Sequence, residues 1–124
     1  MAAAKAAAKQ VAHYSQEQID RVCQAMAEAG SRAAYDLARL AVEETGIGRV
    51  HYKILKNLFG SEGTWESIRD EKTVGIISRD QARGLYEVAV PVGVVAGIVP
   101  TTNPTSTALF KSLIAVKGLS LIHI

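Results

Sequence analysis

One short segment carries the polar residues best placed for chemistry. It reads Pro-Thr-Thr-Asn-Pro-Thr-Ser from Pro100 to Ser106 and follows an apolar run, Val94 to Val99. Its two prolines hold their φ angles near about −65° and stiffen the segment. Thr101, Thr102 and Asn103 offer hydroxyl and carboxamide donors. Donors on a rigid elbow suit the binding of a polar or negatively charged group.

The elements around this elbow predict where it lies. Val94 to Val99 is apolar throughout, which is typical of a parallel strand covered on both faces. Thr105 to Lys117 repeats apolar residues at helical spacing, so strand, elbow and helix begin a βαβ crossover. Ligands of open parallel sheets lie beyond the carboxyl ends of the strands, and free amides of the helix N-terminus add positive potential there. A second interpretation stays open, in which Asn103 and Thr105 only form an Asx turn and an N-cap.

Helices are expected before this crossover. Residues 1–14 are rich in Ala and Lys and predict a solvated helical extension, or a short helix that docks on a partner. Ser15 and Gln18 have the spacing of a capping box, which predicts a helix start. Cys23 lies on the apolar stripe of that helix and is expected to be a small buried residue rather than a nucleophile.

Two further helices follow in the pattern. Gly30 and Ser31 are expected to break the first helix, and Gly46 to end the second with a C-cap. The third helix should start near Arg49. Its inward side is expected to hold the apolar residues Ile54, Leu55, Leu58 and Phe59.

Strands appear only after residue 70. Thr73 to Ile77 and Leu85 to Val90 are β-branched runs bounded by Gly, Pro and Asp, which predicts two strands before the one at Val94. The fold class is therefore α/β: N-terminal helices, a β-hairpin, then the first strand, elbow and helix of a Rossmann-like parallel sheet.

Composition limits the function classes. The 124 residues suffice for one domain, and 48% of them are hydrophobic, enough for a core. The net charge of +2 comes from scattered residues, so nucleic-acid and membrane partners are not expected. Cys23 is the only cysteine, which fits a reducing compartment, and no segment is apolar enough for a membrane span or signal peptide. We expect a cytoplasmic protein, and no metal site.

The segment from Glu87 to Ile114 resembles the aldehyde dehydrogenase superfamily, specifically its CoA-acylating branch. Within that branch it is similar to the aldehyde dehydrogenase half of the bifunctional acetaldehyde/alcohol dehydrogenases. Tyr14 to Asp20, Lys53 to Asn57 and Asp70 to Thr73 resemble the same family. The resemblance therefore runs from about Tyr14 to Lys117.

This resemblance implies an activity and its partners. The family converts a small aldehyde, coenzyme A and NAD to an acyl-CoA and NADH through a cysteine thioester, here with acetaldehyde and acetyl-CoA as the expected pair. The family's nucleophilic cysteine lies beyond the last residue of this chain, so these residues alone should be inactive. The hairpin resembles strands that the superfamily uses for oligomer contacts, which implies a homo-oligomer of the full-length protein.

Site residues follow from the same resemblance. An asparagine in this elbow holds the oxyanion in the wider superfamily, so Asn103 is the expected catalytic donor. The superfamily places that asparagine in the middle of the elbow, where this chain has Thr102; either the branch shifts the donor by one residue or a backbone amide takes the role. Pro100, Thr101, Thr102 and Asn103 are expected to lie against the cofactor. Lys111 matches a lysine that lines the active-site region, although its spacing also fits a solvated helix charge.

The sequence also predicts how the chain is divided and leaves two alternatives open. We expect residues 15–118 to be the N-terminal part of an NAD-binding domain. Residues 119–124 resemble a translated reading frame of a transposon-end sequencing adapter; the alternative is a natural apolar tail that packs on the sheet. The parent protein could be a bifunctional enzyme with an iron-dependent alcohol dehydrogenase domain outside these residues, a stand-alone microcompartment enzyme, or a truncated assembly subunit without catalysis.

Overall fold

The computed structural model describes residues 2–123, and Met1 and Ile124 lie outside that range. Its elements are the helices α1 (Ala2–Val11), α2 (Gln16–Arg32), α3 (Ala34–Thr45) and α4 (Val50–Leu58), a π-helical turn (Phe59–Gly63), α5 (Thr64–Ile68), the strands β1 (Gly75–Asp80), β2 (Leu85–Ala89) and β3 (Val94–Ala96), helix α6 (Pro104–Lys117) and strand β4 (Leu121–His123). Within residues 2–123 there is no helix with the length and apolar character that crossing a membrane requires.

Helix α2 begins where the sequence predicts. The Ser15 hydroxyl accepts a hydrogen bond from the Gln18 amide at 3.2 Å, and the Gln18 side chain accepts one from the Ser15 amide at 2.8 Å. This reciprocal pair is the predicted capping box. Gly46 is also confirmed as a C-cap, since it takes a left-handed φ of 65° and its amide donates to the carbonyl of Val42.

The predicted break at Gly30 and Ser31 is wrong. Helix α2 continues through both residues to Arg32, and Ala33 alone separates it from α3. A Cβ at Gly30 would lie 2.8 Å from the Cβ of Ser61. Glycine is therefore present because the π-helical turn packs directly on α2, and it does not end the helix.

The core joins α2 to α6. Its buried residues are Ile19, Cys23, Ala27, Leu113 and Leu119. Cys23 is fully buried in this cluster, which confirms that it is a small core residue. The packing of α2 on α6 fixes the helix that follows the elbow.

Helix α4 and the residue after it bury polar side chains and expose apolar ones that hydropathy predicts to be buried. Leu55 and Phe59, expected to face inward, are 62% and 75% exposed, whereas Lys53 and Asn57 are 5% and 0% exposed. Ile54 and Leu58 are only half-buried. The prediction fails because the polar side chains of α4 bind the elbow, as described below.

Two small sheets contain the strands of residues 2–123. Strands β1 and β2 form an antiparallel hairpin, and β3 pairs in parallel with β4. The three predicted strands are present, but β3 stops at Ala96 rather than Val99, and Ile98 is 83% exposed. The expectation of a strand covered on both faces is also wrong, because its residues are half-buried or exposed. Pairing ends after the Gly97 amide donates to the His123 carbonyl at 2.9 Å, so the chain leaves the sheet there.

The segment after α6 takes part in the fold. Leu119 is buried in the core, and β4 extends the sheet beside β3. Strand β3, the elbow, α6 and β4 thus form a complete parallel βαβ unit. The origin predicted for residues 119–124 stays a prediction, and Ile124 lies outside the described residues.

Candidate active site

The elbow is a short turn between β3 and α6. The amide of Asn103 donates to the carbonyl of Pro100 at 3.2 Å, and Pro104 occupies the first turn of α6. Asn103 is the N-cap residue by position, but its side chain makes no capping hydrogen bond. The interpretation in which Asn103 and Thr105 serve only as local cap and turn is therefore wrong, because both side chains bind α4 instead.

One face of α4 and the turn after it contact the elbow residue by residue. Lys53 Nζ donates to the Thr102 carbonyl at 3.0 Å, and Lys56 Nζ donates to Asn103 Oδ1 at 2.8 Å. The contacting positions 53, 56, 57 and 60 have the i, i+3, i+4, i+7 spacing of a single helix face.

Asn57 ties this face to a third helix. Its Oδ1 accepts a hydrogen bond from the Thr105 hydroxyl at 2.7 Å, and its Nδ2 donates to the Ala34 carbonyl at 3.0 Å. Asn57 is fully buried, so both bonds form away from water, where losing one is costly. The side chain thus fixes the start of α6 relative to α3 and α4.

Backbone packing completes the contact. A Cβ at Gly60 would lie 2.7 Å from the carbonyl oxygen of Ser106, a distance that real Cβ atoms do not adopt. Gly60 belongs to the π-helical turn, which brings its backbone against the first turn of α6. Hydrogen bonds from α4 and close backbone packing of the π-helical turn therefore hold the elbow in place.

Asn103 lies between two clefts of different character. One, the cationic cleft, of about 480 Å³, lies between α4 and the elbow. Arg49, Lys53, Lys56, Thr102 and Asn103 line it beside the apolar side chains Ile47 and Leu55 and the ring of Tyr52. The other, of about 590 Å³, is lined on its apolar side by the side chains Leu55, Phe59 and Phe110. The carboxamide therefore borders both a cationic cleft and an apolar one.

The predicted site residues do not all converge. Thr102 and Asn103 share the cationic cleft, and Pro100 and Thr101 are exposed beside them. Lys111 lines a separate cavity of about 380 Å³ next to β3, and its Nζ donates to the Ile98 carbonyl at 2.7 Å. Lys111 thus contacts the chain just before the elbow. Its active-site role remains a prediction.

Cys23 lies apart from this site and has the wrong chemistry for a nucleophile. Desolvation by burial raises the pKa of its thiol from an ordinary value of 9.0 to about 11, and the charge of Lys117 offsets this only in part. The thiolate is the nucleophilic form of cysteine, so this side chain is inert near neutral pH.

Sequence reasoning missed Lys53, Lys56 and Asn57 as residues of the site. They lie within the Lys53–Asn57 phrase that carries the resemblance, but hydropathy assigned this helix an apolar inward face. A usable signal was present: three polar residues at i, i+3 and i+4, with a glycine at i+7, define a second face on the same helix.

Comparison with known proteins identifies the class of protein that has this strand, elbow and helix. No family model matches the chain. It is 48% identical over 113 residues to the bifunctional aldehyde-alcohol dehydrogenase AdhE of Escherichia coli (strain K12), an alignment covering 91% of this chain and 13% of that protein. The aldehyde-alcohol dehydrogenase of Clostridium acetobutylicum gives the same identity and the same coverage.

Solved structures agree with these relatives. An acetylating aldehyde dehydrogenase from Geobacillus thermoglucosidasius superposes with a TM-score of 0.94 and 53% identity over 96% of this chain and 26% of that one. The chain therefore shares the fold of 26% of that aldehyde dehydrogenase. More narrowly, the chain is homologous to the N-terminal part of the acetylating aldehyde dehydrogenases, which confirms the resemblance read from the sequence. It spans 13% of the length of the two curated relatives.

Proposed function

We propose that this chain is part of a cytoplasmic, NAD-dependent acylating aldehyde dehydrogenase that converts a small aldehyde and coenzyme A to an acyl-CoA, with acetaldehyde as the substrate. One observation carries the proposal: the Asn103 carboxamide makes no capping hydrogen bond, and Lys56 holds it at the border of two clefts. Because Cys23 is buried and protonated, the thioester would form on a cysteine outside these 124 residues.

Asn103 would act as the oxyanion donor. When a thiolate adds to the aldehyde carbonyl, the oxygen gains negative charge, and a preorganised amide donor lowers the barrier. Asn103 Nδ2 has one weak contact within residues 2–123, at 3.4 Å to the Thr102 hydroxyl. This donor is therefore available for a substrate oxygen.

The elbow also fits a dinucleotide. NAD, when bound, supplies the hydride acceptor of the reaction. Pro100, Thr101 and Thr102 are exposed and present two hydroxyl groups at the end of β3, the place where open parallel sheets bind such ligands. These residues and the backbone of Asn103 would hold its nicotinamide end, which leaves the Asn103 carboxamide for the substrate oxygen.

The apolar cleft suits the aldehyde's carbon chain. Leu55, Phe59 and Phe110 line it within reach of the same carboxamide. An aldehyde with its carbonyl oxygen toward Asn103 could place an alkyl group against these side chains, whereas the cationic cleft offers Arg49 for an anionic group such as those of coenzyme A.

The test uses a full-length enzyme that carries this segment. In the chimeric enzyme, residues 14–118 replace the matching segment of the Geobacillus thermoglucosidasius protein, with which the chain is 53% identical. We expect CoA-dependent NADH formation from acetaldehyde, and Asn103→Ala should lower kcat by about 10²–10³-fold with little change in the KM for NAD. An Asn103→Ala chimera that turns over at the unsubstituted rate would contradict the assignment and direct attention to Thr102.

A second candidate function rests on the hairpin. Leu85, Tyr86, Val88 and Val90 of the β2 region are all more than half exposed, an unusual concentration of large apolar side chains. We infer that this surface could join the chain to a full-length aldehyde dehydrogenase as an assembly subunit or homo-oligomer. Co-purification of the tagged chain with the Geobacillus enzyme tests this, and Tyr86→Lys should abolish it; no association at all would count against this candidate.

A further inference from the structure

Lys56 determines which end of the Asn103 carboxamide faces the cleft. A carboxamide has an acceptor end and a donor end of nearly equal size, so its orientation depends on its partners. The Lys56 ammonium carries only donors, and it lies 2.8 Å from Asn103 Oδ1. The opposite orientation would set the Nδ2 donor against an ammonium donor. The contact therefore points Oδ1 toward α4 and Nδ2 away from it.

Lys53 fixes the backbone that carries this side chain. Its ammonium donates to the carbonyl of Thr102, the residue immediately before Asn103, at 3.0 Å. Lys53 is buried, and Gly48, which has a φ of 84°, lies over its side chain. One lysine thus holds the peptide and the other the side chain, both from the same helix.

We propose that Lys56 is a positioning residue for aldehyde oxidation: it holds Oδ1 of Asn103 so that Nδ2 is presented to the substrate oxygen, while Lys53 fixes the preceding peptide. This inference rests on the proposed function. Lys56 is exposed, so its charge is largely screened by water and salt, and the hydrogen bond rather than the charge is the important contribution. A neutral donor at position 56 should therefore retain most of the effect.

Kinetics of the chimeric enzyme test the positioning role. Lys56→Met should lower kcat by about 10-fold, less than loss of the carboxamide itself, because the donor remains but is no longer oriented. Lys56→Gln and Lys56→Arg, which keep a donor, should recover most of the rate. The KM values for NAD and aldehyde should stay nearly constant. Lys72→Met, at an exposed lysine between α5 and β1, is the matched control and should leave kcat unchanged.

A double variant separates positioning from a general structural effect. In the Asn103→Ala background Lys56 has no carboxamide to orient, so adding Lys56→Met should cause no further loss of kcat. A further 10-fold loss there would overturn the inference. An unchanged kcat in Lys56→Met while Asn103→Ala is impaired would also overturn it but leave the proposed function standing. Asn103→Ala with full activity would instead refute the proposed function.

Side-chain NMR of the 124-residue chain provides a readout independent of activity. The amide signals of Asn103 Nδ2 should shift in Lys56→Met, because the carboxamide is no longer held in one orientation. Lys72→Met, the same control, should leave these signals in place. Unchanged Asn103 signals in Lys56→Met would show that the ammonium does not orient the carboxamide.

Discussion

The buried amide of Asn57 gives the strongest stability prediction. Asn57→Leu conserves most of the side-chain volume but removes a donor and an acceptor at a fully buried position. The hydroxyl of Thr105 loses its 2.7 Å acceptor, and the carbonyl of Ala34 loses its 3.0 Å donor. A buried group left without its partner costs about 1–3 kcal/mol. Because the Ala34 carbonyl keeps its helical bond and Thr105 is only half-buried, we expect a total loss of about 2–4 kcal/mol.

Urea unfolding of the 124-residue chain measures this loss. With an m value of about 1.5 kcal/mol/M, a loss of 3 kcal/mol would lower the unfolding midpoint by roughly 2 M at constant m. Thr105→Val alone should cost about 1 kcal/mol, and the double variant should be clearly less destabilised than the sum of the two. Phe59→Leu, at an exposed position of the neighbouring turn, is the control and should stay within about 0.5 kcal/mol of the original chain.

Two outcomes would refute the reasoning. An Asn57→Leu chain with an unchanged midpoint would mean that the two hydrogen bonds are not formed or do not stabilise the fold. Strict additivity with Thr105→Val would mean that the helix α4 contact does not hold the start of α6. Either result would remove the physical basis for a preorganised elbow.

Three further predictions concern packing and protonation. Gly60→Ala should destabilise the chain by about 1–3 kcal/mol in urea, because its methyl group would lie 2.7 Å from a backbone carbonyl of α6. Gly63→Ala should be tolerated, because its methyl group would touch the movable Phe59 ring at 3.3 Å and the nearest backbone atom at an ordinary 3.9 Å. Lys117→Met should cost about 2–4 kcal/mol by the same assay, since it removes a buried ammonium 2.6 Å from Asp20 and leaves that carboxylate short of a partner. The pKa of Cys23, raised by burial to about 11, predicts that the chain is fully stable below pH 9.0 and loses stability as the pH rises toward about 11, because the thiol of the unfolded chain ionises first. Cys23→Ser should abolish that loss. Stability that stays constant over this pH range would contradict the prediction.

The parts of the fold that sequence predicts well are those decided locally. The capping box at Ser15 and the C-cap at Gly46 depend on residues only a few positions apart, and both are confirmed. The end of β3 was predicted at Val99 and lies at Ala96, because it depends on the strand beside it, which hydropathy along one run cannot specify. The predicted helix break at Gly30 is wrong for the same reason, because this glycine is required by its contact with Ser61, which is distant in sequence.

Helix α4 shows why the site itself was harder to predict than the fold. Its sequence contains two possible inner faces, one apolar with Leu55 and Phe59 and one polar with Lys53 and Asn57. A pattern based on burial of apolar groups selects the first. The structure buries the second, because buried polar groups are stable only when they are hydrogen-bonded, and the elbow supplies the partners.

The burial of the polar face of α4, rather than its apolar face, is itself an argument for function. Burying a lysine and an asparagine under an elbow contributes less to stability than burying leucine and phenylalanine there, so the arrangement requires a gain of another kind. The polar face provides what an apolar one could not: Lys53 holds the Thr102 peptide, and Lys56 orients the Asn103 carboxamide, whose two ends only hydrogen bonds distinguish. If that is the gain, replacing Lys53 by Met should leave the chain as stable as before, or more stable, while lowering the kcat of the chimeric enzyme. A variant that loses stability and kcat in proportion would instead place Lys53 among residues that only support the fold.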